Sequence, residues 1–158
     1  MNRHSPVTIR DGVHTYDLRV YYEDTDAAGV VYHANYLRFA ERARTEAMRD
    51  IGAPHAEMAD QTGLIFMVRR VELDYLAPAR LDESLIVETR ARSMRAATVV
   101  IDQSIRRAES RERVLVSVRI ELACVRIADG RAQKIPARWR AALSGLMDDE
   151  TPTNEDKG

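Results

Sequence analysis

Only one stretch of this chain carries a long helical stripe, and everything around it reads as strand. Tyr36, Phe39, Ala40, Ala43, Ala47 and Ile51 recur at i, i+3, i+4, i+7, i+11 and i+15, so they share one face of a helix over residues 34 to 51. Gly52 and Pro54 stop it. At ~1.5 Å per residue such a helix is roughly 27 Å long, enough to cross a small sheet. Ahead of it, Tyr16, Leu18, Val20 and Tyr22 alternate with Asp17, Arg19, Tyr21 and Glu23, the period of a half-buried strand. After Gly63 the alternation returns four times. Val71, Leu73 and Tyr75 form one set, ended by Pro78, and Leu85, Val87, Thr89 and Ala91 a second. Val99, Ile101, Gln103 and Ile105 form the third, and the longest runs from Val114 through Val116, Val118, Ile120 and Leu122 to Cys124. Weaker helical patterns cover residues 54 to 61 and 136 to 143, and Asp129-Gly130 reads as a turn.

Consecutive strands without helical crossovers predict an antiparallel sheet, and the single long helix needs an apolar surface for its stripe. An α+β fold with one sheet wrapped around one helix satisfies both. The edges of such a sheet make association through an edge or face an expectation.

A chain of 158 residues suits one domain. It is expected to occupy residues 15–147, between a poorly ordered N-terminus, 1–14, and an acidic tail, 148–158. The tail carries five acids against one lysine and contributes -4, which leaves about +3 on the rest of a chain of net charge -1. Of the 24 cationic residues all but Lys134 and Lys157 are arginine, without the dense basic stripe and interleaved aromatics of a nucleic-acid binder. No apolar run approaches the ~20 residues of a membrane span, the N-terminus lacks a signal-like stretch, and a lone Cys124 cannot build a disulfide framework. A cytoplasmic protein is the expectation. No His, Cys or carboxylate spacing suggests a metal.

Chemistry concentrates where strand gives way to helix. If the alternation of Leu18, Val20 and Tyr22 persists, Asp24 and Asp26 point to the same apolar side, where desolvation makes a carboxylate more basic. Ala27, Ala28 and Gly29 follow with almost no bulk, and the helix start then offers unpaired N–H groups and a positive dipole end. These parts suit hydrolysis of an activated acyl group: an oxygen base or nucleophile near the carbonyl carbon, donors near its oxygen. The same aspartates equally suit capping of the turn or helix. Tyr22 reads as a hydrogen-bond donor or an apolar wall, and His33 as an acid or as a helix-start residue that acts through its backbone. Cys124 reads as a small buried hydrophobe.

The run Tyr22-Glu23-Asp24-Thr25-Asp26-Ala27-Ala28-Gly29-Val30-Val31-Tyr32-His33-Ala34-Asn35-Tyr36, continued by Glu41-Arg42-Ala43-Arg44-Thr45-Glu46, resembles the signature of the hot-dog-fold acyl-CoA thioesterases of the 4-hydroxybenzoyl-CoA thioesterase superfamily. Within it the YbgC type, associated with the Tol-Pal envelope system, is nearest. The resemblance extends through residues 71 to 82 and Ser93-Met94-Arg95. It implies an antiparallel sheet around a central helix, Asp26 as the catalytic residue, Tyr22 and His33 as assisting residues, and N–H groups near His33 holding the thioester oxygen. It further implies homodimers or homotetramers with sites between subunits, and an acyl-CoA or acyl-carrier-protein thioester as substrate, without a separate cofactor. Arg70, Arg92 and Arg95 are candidate partners of the CoA phosphates. The competing functions are a non-catalytic acyl-CoA or carrier-protein binding subunit and a hot-dog enoyl-thioester hydratase. The seven-residue separation of Asp26 and His33 does not match the hydratase-type Asp-x-x-x-x-His spacing.

Overall fold

The structure, a computed structural model, describes residues 8–147. Strands β1 (Ile9–Arg10) and β2 (Val13–Arg19) lead through a 3-10 turn, Tyr22–Asp24, to helix α1 (Asn35–Asp50) and the shorter α2 (His55–Thr62). Strands β3 (Leu64–Tyr75), β4 (Ser84–Met94), β5 (Thr98–Arg107) and β6 (Ser110–Arg126) follow, and α3 (Ala137–Ser144) closes the described chain. All six strands form one antiparallel sheet of order β1-β2-β4-β5-β6-β3, curved around α1. This is the hot-dog arrangement that the sequence motif implies.

The helical stripe lands as expected. Tyr36, Phe39, Ala40, Ala43 and Ala47 are buried, joined by Asn35 and Met48, while Ile51 forms the C-cap. Facing them are Leu85, Val87, Thr89 and Ala91 of β4, Val99, Ile101, Gln103 and Ile105 of β5, and Val116 to Cys124 in alternation on β6, all buried. Three alanines on the helix face let its backbone lie close to the sheet. Gln103 shows how close: its side-chain amide donates to the Ala40 carbonyl at 2.9 Å and to Thr89 Oγ1 at 3.0 Å, and its oxygen accepts from Arg44 at 3.0 Å. Below the far end of α1, Trp139 and Leu143 of α3 are buried, and the Ala91 N–H donates to the Leu146 carbonyl at 2.8 Å.

Three features depart from the sequence expectations. Residues 9–14, assigned to a poorly ordered end, form β1 and the start of β2, and His14 is buried with its Nε2 2.8 Å from Asp50 Oδ2. The rest of that end, 1–7, and the acidic tail from 148 lie outside the described residues. β3 begins at Leu64, well before the alternation starting at Val71, because a bulge at Arg69 changes the parity of the pattern halfway along. Phe66 and Val68 before the bulge, and Val71, Leu73 and Tyr75 after it, all pair with core-facing residues of β6. As the edge strand, β3 overhangs the helix, which leaves Val68 49%, Val71 39% and Tyr75 52% exposed. Finally, the alternation of β2 ends at Arg19 and does not reach Asp26.

No helix of the described residues is long and apolar enough to cross a membrane. Phe39, fully buried between helix and sheet, is expected to lose about 3–5 kcal/mol of unfolding free energy on substitution with alanine, measured by urea denaturation. Burial also pushes the Cys124 thiol up and leaves it 0% exposed, so thiol reagents should modify it only after unfolding. A native-state stoichiometry near one thiol per chain contradicts this.

Candidate active site

Past Val20, which is buried, the chain bends into the 3-10 turn and the alternation is lost. The turn separates the two aspartates. Asp24 is 4% exposed, and both its oxygens are engaged: Oδ2 accepts from the Tyr21 N–H at 2.8 Å and Oδ1 from Asn35 Nδ2 at 2.7 Å. Asn35 is the first residue of α1 and is itself 6% exposed. A buried carboxylate therefore ties the bend to the helix start, and its desolvation is offset by two donors.

Asp26 stands elsewhere. Thr25 and Val31 pair antiparallel, and the chain reverses between them in a tight hairpin with Gly29 at φ 76°. The Gly29 N–H donates to the Asp26 carbonyl at 3.0 Å and the Asp26 N–H to the Val30 carbonyl at 2.9 Å, the pattern of a type I turn followed by a left-handed glycine. Asp26 occupies the first position of that turn, and its Oδ1 accepts from the Ala28 N–H at 2.8 Å. Its Oδ2 has no hydrogen-bond partner among the described residues.

The expectation that Asp24 and Asp26 share one apolar side is thus corrected: Asp24 is buried and Asp26 exposed. The 3-10 turn rotates the chain and the hairpin sets a new register, so the strand's period does not carry through. Tyr22, expected to continue the inward set of Leu18 and Val20, is 83% exposed for the same reason. Its carbonyl accepts from the Thr25 N–H at 3.1 Å and Thr25 Oγ1 at 3.0 Å. The capping role weighed for the aspartates is realised in both.

His33 lies between the hairpin and α1, with its side chain exposed against the Tyr32 ring at a centroid distance of 4.5 Å. Its carbonyl accepts from Tyr75 Oη at 2.8 Å, which joins the end of β3 to the helix start. Ala34, the N-cap, offers no side-chain acceptor to the first turn of α1, and the N–H groups of His33 and Ala34 meet no acceptor among the described residues. Beside them lies an open groove of about 270 Å³ lined by Val31, His33, Tyr36, Tyr75, Leu76, Ala77 and Pro78. At its base Tyr36 is buried; burial pushes its hydroxyl up, and Oη accepts from the Ala79 N–H at 3.0 Å.

The three arginines chosen from sequence do not gather here. Arg70 pairs with Glu72 at 2.8 Å, and Arg92 with Asp102 at 3.2 Å. Partial burial pushes the Asp102 carboxyl up, but hydrogen bonds from Arg119 and Arg92 outweigh it and hold it below the usual carboxylate range. Arg92 lies eight residues along β4 from Ser84, roughly 26 Å from the end of the sheet that abuts the Asp26 hairpin, and Arg95 lies beyond it. Sequence reasoning did not single out Asn35 or Tyr75, the two side chains that fasten the helix start. An amide at the first position of a helix was the available signal for Asn35. Among the described residues no group of three or more His, Cys, Asp or Glu is placed to hold a metal.

Known proteins resemble this chain in sequence and in fold. The profile of a family described as the thioesterase-like superfamily matches residues 20–143. Over 136 residues the chain is 37% identical to the acyl-CoA thioesterase YbgC of Haemophilus influenzae, covering 86% of this chain and 98% of that protein. It is 50% identical over 94 residues to the acyl-CoA thioester hydrolase YbgC of Escherichia coli O157:H7, covering 59% of this chain and 69% of that protein. A probable thioesterase from Bartonella henselae superposes with a TM-score of 0.72 at 36% identity, covering 78% of this chain and 99% of that one. A 1,4-dihydroxy-2-naphthoyl-CoA thioesterase from Synechocystis, at 24% identity, shares the fold with a TM-score of 0.78 over 85% of this chain and 97% of that one. With a family match over most of its length and a relative aligned nearly end to end, this chain belongs to the thioesterase-like superfamily.

Proposed function

We propose that the protein hydrolyses acyl-CoA thioesters to a free acid and coenzyme A, with Asp26 as the essential side chain. The observation that carries this reading is a carboxylate with one oxygen fixed by the Ala28 N–H and the other unbonded, on a hairpin that leads directly into an uncapped helix start. A thioester carbonyl gains little resonance from sulfur and has a good leaving group, so one oriented carboxylate suffices. Asp26 Oδ2 serves as nucleophile, forming a mixed anhydride that water cleaves, or as the base that deprotonates the attacking water. Either way one water is consumed, the C–S bond breaks and the thiolate leaves as thiol. The N–H groups of His33 and Ala34, backed by the dipole of α1, are the donors for the developing oxyanion. His33 and Tyr22 are the assisting side chains of this reading.

The Tyr75–His33 groove is small, and its apolar lining suits short to medium acyl groups or a compact aromatic acid. In one chain Asp26 is open to solvent, and the free edge of the sheet is a long strand with Met67, Val68, Val71 and Tyr75 exposed. Such an edge is a template for pairing. Two copies meeting along β3 cover these residues and enclose the groove, so the working form in this reading is a homodimer or a pair of dimers.

Thiol release from butyryl-CoA tests the site. Asp26→Asn should lower kcat by about 10²-fold or more with unchanged unfolding behaviour. Asp24→Asn, which weakens a buried carboxylate's hydrogen bonds, should instead lower stability by about 1–3 kcal/mol. A folded Asp26→Asn protein that retains the wild-type rate rejects the proposal. For the assembly, Val71→Arg is expected to shift the protein toward monomer in sedimentation velocity and to reduce activity with it. A monomeric, fully active wild type contradicts the shared site.

A further inference from the structure

Three short segments form a small sheet around Asp26. Thr25 pairs with Val31, and Val30 with Arg80, both antiparallel. The first pair is flanked by bonds from the Asp26 N–H to Val30 and from the Tyr32 N–H to Asp24. The second is flanked by bonds from the Val31 N–H to Ala79 and from the Leu81 N–H to Gly29. Both are therefore non-hydrogen-bonded pairs, the kind whose side chains approach most closely. Because side chains alternate across a strand, this register puts Thr25, Val31 and Ala79 on one face and Asp26, Val30 and Arg80 on the other. Burial agrees, since Val31 and Ala79 are buried while Asp26 and Arg80 are exposed. Two strand spacings separate Asp26 from Arg80, roughly 10 Å between backbones.

Arg80 makes no ion pair among the described residues, although acids lie beside it. Glu83 takes the Arg80 backbone N–H on Oε1 at 3.0 Å and commits Oε2 to Arg107. Arg19 is tied to the Asp82 carbonyl at 2.8 Å, and Arg70, Arg92, Arg106 and Arg119 all pair with carboxylates. Several other exposed arginines also lack a carboxylate partner among the described residues; what sets Arg80 apart is that the bridge register places it, exposed and without an ion pair, on the same face as the reacting carboxylate. A guanidinium fork matches phosphate oxygens.

We propose that Arg80 binds a phosphate of the coenzyme A portion while Asp26 acts on the thioester. This rests on the reading of Asp26 given above. In acyl-CoA the thioester and the phosphates lie at opposite ends of a flexible pantetheine arm. The substrate therefore needs a reacting group and a cation on one face with a gap between them, as the Asp26–Val30–Arg80 row supplies.

The test combines calorimetric binding of coenzyme A with hydrolysis of butyryl-CoA and of S-butyrylpantetheine, which carries no phosphate. Arg80→Gln should weaken coenzyme A binding and raise KM for butyryl-CoA about tenfold, with kcat changed less than twofold. The difference should shrink as salt is raised. KM for S-butyrylpantetheine should stay unchanged, and Arg80→Lys should recover part of the loss. Unchanged coenzyme A affinity in Arg80→Gln, or an equal loss on both thioesters, overturns the assignment. A wild type that binds coenzyme A through Arg80 but hydrolyses neither thioester would leave this assignment standing and reject the reading of Asp26.

Discussion

The burial of one alanine-rich helix face in the hollow of one sheet is the constraint on which the other features rest. Ala40, Ala43 and Ala47 bring α1 close to β2 and β4 and within reach of Gln103 on β5, and the sheet must curve to cover the larger Tyr36, Phe39 and Met48 beside them. That curvature leaves β3 projecting past the helix as a partly uncovered edge. It also fixes where the helix begins, and the candidate site is assembled around that beginning. Asp24 and Asn35 hold the entering chain from below, and Tyr75 holds the His33 carbonyl from the side.

This division of labour explains why the acidic pair looks redundant in sequence and is not so in space. Of two carboxylates separated by one residue, the buried one spends both oxygens on the scaffold. The exposed one spends a single oxygen on its own turn, and the other has no hydrogen-bond partner among the described residues. Close by stands the exposed Tyr75, the last residue of the β3 edge, bonded to the His33 carbonyl.

Much of the architecture was legible because burial imposes a period. Apart from Ile51 and Val114 at their ends, the helical stripe and the alternating sets of β4, β5 and β6 match the buried faces, since each presents one face to the helix–sheet interface. Legibility failed wherever backbone geometry interrupts the period. The bulge at Arg69 hid the first half of β3, and the 3-10 turn after Val20 reversed the expected placing of Tyr22 and Asp26. The identity of the motif survived, because Asp26, Gly29, His33 and Asn35 each answer to a local requirement of turn or helix start. The pairing of the arginines is not a matter of period. Whether a surface cation is available to a ligand depends on which carboxylates have already claimed it, and those partners are distant in sequence, as Asp102 is from Arg92 and Glu83 from Arg107.

The buried amide of Gln103 carries one more implication. A face of alanines is smooth, so hydrophobic contact alone sets how deep α1 sits but scarcely where it stops along its axis. The hydrogen bonds from Gln103 to the Ala40 carbonyl and from Arg44 to Gln103 act as a detent, a notch that one position of the rod engages and a one-turn slide loses. The polar centre of the core thereby sets where the helix start stands, and with it the hairpin that leads into that start, so tuning the notch would shift both without touching either.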